Sequence, residues 1–116
     1  MKIKQFDIWI ANLDPHFGTE AGKARPVLII QSNLLNDIHP STLICPITTN
    51  IQPKAEILRV HLKKGHFGLK QNCDIMIDQI RAIDNKRLMK RVGRISESLI
   101  EKVKENIAIV LDLSKI

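Results

Sequence analysis

Along most of this chain the apolar residues come in short runs, and only the C-terminal end changes to a helical spacing. "FDIWIANL", residues 6–13, is rich in β-formers and stops at the Asp14-Pro15 turn. A polar, glycine-spaced loop follows, "DPHFGTEAGK", and then "PVLIIQS", apolar on both faces as in a strand covered on both sides. "TLICPITT" is a third strand. Its Pro46 has no N–H to give to a ladder, which predicts a bulge or an edge position. "AEILRVHL", residues 55–62, alternates. Leu58, Val60 and Leu62 share one face, and Ile57, Arg59 and His61 share the other, which reads as solvated. "CDIMIDQI" predicts a strand with Asp74 and Asp78 on the face of Met76 and Ile80. "RAIDNKRLMKRVGRI" predicts a helical turn and a last strand near residues 91–95. In "SESLIEKVKENIAIVLDL" the apolar positions Leu99, Ile100, Val103, Ile107, Val110 and Leu111 fall on one helical stripe. Ser96 or Ser98 is its N-cap, and Ser98 with Glu101 fits a capping box. Five to seven short strands and one terminal helix predict a mainly β fold, a small curled β-barrel capped by that helix. The 116 residues read as one domain, 1–116, without repeat or linker.

Composition changes this picture in one respect. Eighteen Lys and Arg against twelve Asp and Glu leave a net charge of +6. A basic surface gains by releasing counterions from a polyanion, so a nucleic acid is a candidate partner. The start "MKIKQFDIW" lacks the apolar core of a signal peptide, and no apolar run has the length of a membrane helix. The expectation is a cytoplasmic protein with no membrane partner. Cys45 and Cys73 sit inside apolar runs and read as buried free thiols. Neither they nor the four histidines fall at zinc spacing, so no metal and no cofactor is expected.

Arg25 stands at the mouth of an apolar strand, where a permanently charged fork of donors suits a phosphate. Its alternative is an ion pair with Glu20 or Asp78 that braces the loop. Thr48 ends the third strand with a free hydroxyl, or satisfies a nearby backbone group. Phe17 can stack on a base or pack on its own loop. Four stretches in order, D-P-x-x-G-x-E (14–20), R-P-V-L (25–28), P-I-T (46–48) and D-Q-I-R-x-I-D (78–84), resemble the MazF/PemK family of toxin endoribonucleases.

That resemblance implies an SH3-like barrel, usually a homodimer, and the toxin of a type II toxin–antitoxin system. It implies metal-independent cleavage of single-stranded mRNA at short sequences. The 2′-hydroxyl attacks the adjacent phosphate, giving a 2′,3′-cyclic phosphate and a 5′-hydroxyl. Arg25 and Thr48 fall on the family's catalytic arginine and threonine, and Glu20 on its loop glutamate, which can accept a proton or orient Arg25. Asp78 and Gln79 match the pair lining the RNA groove, and Phe17, Thr19 and Arg81 complete the expected RNA-binding set. Thr19 stands where some relatives carry histidine, with His16 three residues away as a substitute, and Met76 where some carry arginine. The implied partners are RNA and a cognate antitoxin, with DNA bound by the toxin–antitoxin complex. The alternative is a toxin of the same fold that acts by contact on a protein such as DNA gyrase.

Overall fold

The computed structural model describes residues 2–113; Met1 and residues 114–116 of the expected domain lie outside the described residues. Seven strands form one antiparallel sheet: β1 (Asp7–Asn12), β2 (Ala24–Ile29), β3 (Ser41–Thr48), β4 (Arg59–Leu62), β5 (Cys73–Met76), β6 (Arg81–Asp84) and β7 (Leu88–Arg94). The strands run in the order β4-β5-β3-β2-β1-β7, with β6 also on β3. β4 and β7 are not paired to each other. The expected barrel is therefore an open sheet, mainly β and helix-capped as the pattern predicts.

β3 is the hub. Residues 44–46 pair with β2, residues 41–44 with β6 and residues 47–48 with β5. Pro46 falls between the β6 and β5 ladders, where an absent N–H costs no ladder bond on that side. It thus sits in the middle of the sheet, and the predicted edge position is corrected. Side-chain alternation divides the apolar residues between two faces. Ile8, Leu28, Cys45 and Ile47 join Val60, Ile75 and Ile77 in one core cluster. Trp9, Ala11, Val27, Ile29 and Ile44 form the other.

Helix α1 (Glu97–Val110) covers the first cluster with Ile100 and Val103, flanked by Leu99, Ile107 and Val110. Its N-cap is Ser96, with no side-chain cap bond, so the Ser98–Glu101 capping box does not form. Leu111 drops out of the predicted stripe, because the helix stops before it and leaves it 53% exposed. The buried Asn106 instead ties the helix down, its Nδ2 donating to the carbonyl of Glu56 at 3.0 Å.

Three strand limits differ from the pattern. β4 begins only at Arg59, and Ile57 and Leu58 are half exposed. β5 ends at Met76 and passes into a 3₁₀ turn, Ile77–Gln79, so Asp74 and Asp78 do not share a strand face. β6 is an additional strand at the start of the stretch for which only a helical turn and a last strand are predicted; the helical turn is Asn85–Arg87, just after it. Gly93 on β7 lets the loop after β4 come close: a Cβ there would lie 2.7 Å from the carbonyl carbon of Phe67. Among the described residues no helix is long and apolar enough to cross a membrane.

Candidate active site

The β1–β2 loop is fastened from inside. Asp14 Oδ1 accepts the Lys23 N–H at 2.8 Å and lies 2.9 Å from His16 Nδ1. Gly22 passes beneath these two side chains, and a Cβ on it would come 2.6 Å from Asp14 Oδ1. Glu20 Oε1 accepts the Phe17 N–H at 2.9 Å, while the Glu20 N–H donates to the Phe17 carbonyl at 3.0 Å. Gln79 reaches across from its 3₁₀ turn: Oε1 accepts the Ala21 N–H and Nε2 donates to the Thr19 carbonyl, both at 2.9 Å. Both ends of the Gln79 amide are thus spent on holding the loop.

Arg25 leaves this loop at the start of β2, half buried. Its Nε donates to the Gly22 carbonyl at 2.7 Å. Among the described residues no carboxylate pairs with it, so the bracing ion pair with Glu20 or Asp78 does not form. Its terminal nitrogens remain available as donors. The β2–β3 ladder pairs Val27 with Pro46. Carried two residues further along each strand, that register sets Arg25 across from Thr48 on the Val27 face. Thr48 Oγ1 accepts the Asn50 N–H at 3.1 Å, which leaves its hydroxyl hydrogen to donate elsewhere.

Beside the loop, Thr19, Glu20, Asp78, Gln79, Ile80 and Arg81 line an open groove of about 320 Å³. Five of the expected site residues therefore meet there. Arg81 adds a buried Nη1 with no partner among the described residues. Phe17 does not line the groove; it stands 78% exposed at the loop tip rather than packing on its own loop. Cys45 is fully buried beneath the sheet, its thiol pKa pushed up to about 12 by burial and, secondarily, by the charge of Asp78.

The pattern missed a second cluster. Asp74 is fully buried in β5, and Gln52, Arg59 and His61 converge on it. Arg59 is thus largely covered rather than solvated as its alternation suggests, whereas His61 stays 44% exposed while bound to Asp74. The available signal was an acid inside the apolar run "CDIMI", since a buried carboxylate requires partners.

The Lys23 backbone bond, and then the His16 contact, hold the Asp14 pKa below its ordinary 3.8. Its anionic form therefore steadies the loop above that value, and this contribution is lost as the pH falls through the depressed value. In an NMR titration the Lys23 amide should show one acid step below 3.8. That step should be absent in Asp14→Asn.

Residues 4–111 match the model of the PemK-like, MazF-like toxins of type II toxin–antitoxin systems. The chain belongs to this family. Endoribonuclease EndoA of Bacillus subtilis (strain 168) is 33% identical to this PemK/MazF-like chain over 113 residues, 97% of each protein. The Mycobacterium tuberculosis toxin MazF-mt6 superposes with a TM-score of 0.80 at 27% identity, over 94% of this chain and 99% of its own. An endoribonuclease in complex with its cognate antitoxin, from a mycobacterial species, shares the fold with a TM-score of 0.75 at 17% identity, over 99% and 98% of the two chains.

Proposed function

We propose that this PemK/MazF-like chain is a sequence-selective, metal-independent endoribonuclease toxin acting on single-stranded mRNA in the cytoplasm. The observation that carries the reading is Arg25: half buried, tethered through Nε alone, and opposite Thr48 by register. In-line attack of the ribose 2′-hydroxyl puts negative charge on the phosphate oxygens. The free Arg25 donors and the Thr48 hydroxyl are suited to receive that charge.

Glu20 is the candidate base. One of its oxygens holds the Phe17 amide, and the other has no partner among the described residues. It takes the 2′-hydroxyl proton as the new phosphate–oxygen bond forms. The phosphate's bond to the 5′-oxygen breaks, and that oxygen picks up a proton from Arg25 or water. The products are a 2′,3′-cyclic phosphate and a 5′-hydroxyl. Asp78, Arg81, Thr19 and the exposed Phe17 hold the flanking nucleotides, with Gln79 shaping the loop that meets them. The enzyme works as a homodimer and is neutralised by its own antitoxin, as the mycobacterial neighbour of the same fold is found with one.

The test is incubation with a long single-stranded RNA in EDTA, with the cut ends mapped. Discrete cuts bearing cyclic phosphates are expected. Intact RNA after incubation with folded protein would overturn the nuclease and favour a toxin that acts by contact on another protein.

A further inference from the structure

The buried acid of β5 lies outside the groove, yet every bond it makes bears on the segment that follows Thr48. Asp74 Oδ2 accepts the Gln52 N–H at 2.7 Å and Arg59 Nη1 at 3.1 Å. Asp74 Oδ1 lies 2.6 Å from His61 Nδ1. The same Arg59 Nη1 donates to the Asn50 carbonyl at 3.1 Å, and His61 Nε2 lies 2.9 Å from the Ala55 carbonyl. Residues 50, 52 and 55 are thus each fastened to one cluster. Burying a carboxylate is costly unless it is paired and hydrogen-bonded. Here that arrangement holds one short connection in place.

Thr48 is the start of this connection. It faces Asp74 in the β3–β5 ladder, and its Oγ1 accepts the Asn50 N–H at 3.1 Å. That bond occupies an acceptor site on the hydroxyl oxygen and so limits where its hydrogen can point. Arg59 holds the other side of Asn50, at its carbonyl. A chain of two bonds therefore runs from Arg59 through Asn50 to Thr48.

We infer that Asp74, Arg59 and His61 are positioning residues for RNA cleavage, fixing the segment 49–55 and through Asn50 the direction of the Thr48 hydroxyl. The inference rests on the nuclease reading above. A donor displaced by a fraction of an ångström from the developing charge loses much of its effect.

Arg59 gives the test, because it makes both bonds from one nitrogen, which an ammonium can imitate. Single-turnover cleavage is measured on a short RNA carrying the mapped site. Affinity is measured with the same RNA bearing a 2′-deoxy sugar at the cut. Arg59→Met should slow cleavage about tenfold while affinity stays within about threefold. Arg59→Lys should recover most of that loss. In a Thr48→Ala background Arg59→Met should cost nothing more, because its effect passes through the missing hydroxyl. Should Arg59→Met fail to fold, Asn50→Pro deletes the amide that holds Thr48 without altering the side chains of Asp74, Arg59 or His61; it should slow cleavage to the same extent. Wild-type cleavage with no change in the folded variant, or losses that multiply in the double variant, would overturn the positioning role alone. A wild-type protein that cuts no RNA would overturn the nuclease reading itself.

Discussion

Arg25→Ala should lower RNA cleavage by roughly 10²–10³-fold, the usual loss when one preplaced donor is removed from a transition state. The folded state should barely notice. The guanidinium makes one bond, from Nε to the Gly22 carbonyl at 2.7 Å, and no ion pair among the described residues. Losing a single part-buried hydrogen bond costs about 1 kcal/mol. A side chain whose main task was to brace the loop would behave in the opposite way, with a large fall in stability and activity that follows the folded fraction. Cleavage rates set beside urea unfolding midpoints separate the two. A variant that cuts at the wild-type rate would remove Arg25 from the chemistry.

Ile75→Ala should do the reverse. Ile75 is fully buried and lies between Ile47 of β3 and Val60 of β4 in the ladders. Its cluster continues through Leu28 and Ile77 to Ile100 and Val103 of the helix. Truncating such a side chain costs about 2–5 kcal/mol, from the lost burial and the cavity left behind. Against a total of roughly 5–15 kcal/mol for a domain, that is a large share. The unfolding midpoint should drop accordingly, while cleavage per folded molecule falls far less than in Arg25→Ala. A stability loss below about 1 kcal/mol would mean that β5 is not bound into the core as its burial indicates.

What could be read in advance, and what could not, follows from the range of the interactions. The helix was legible because its spacing repeats over several turns, with Ser96 of the two candidates as its N-cap, and only the capping box and the last apolar position went astray. At the start Ser96 displaced the Ser98 box, and at the finish Leu111 fell past the last turn. β6 was not legible: "RAID" has one buried residue, Ile83, and its pairing partner is more than thirty residues away. β5 looked longer than it is because Ile75, Met76, Ile77 and Ile80 read as one continuing apolar run, whereas the turn within it serves to carry Gln79 to the β1–β2 loop. At the candidate site, the strand positions of Arg25 and Thr48 were legible because each stands at one end of an apolar run, and the β2–β3 pairing makes those strands neighbours. The Asp74 cluster depends on the β4–β5 register, which sets His61 against Asp74, and no local pattern announces that pairing.

An open sheet keeps a row of unpaired backbone groups along each outer strand, and such rows invite other strands to add on. On β7 the exposed stretch carries Lys90, Arg91 and Arg94. Arg91 is held in place by the buried Asp7, whose carboxylate accepts its Nε–H at 2.9 Å. At the far end the backbone of Phe67 sits against Gly93. Two molecules meeting along this edge would set cation against cation over half its length and collide with a loop over the rest. The chain can therefore leave its sheet unclosed and still resist stacking into fibres of its own kind.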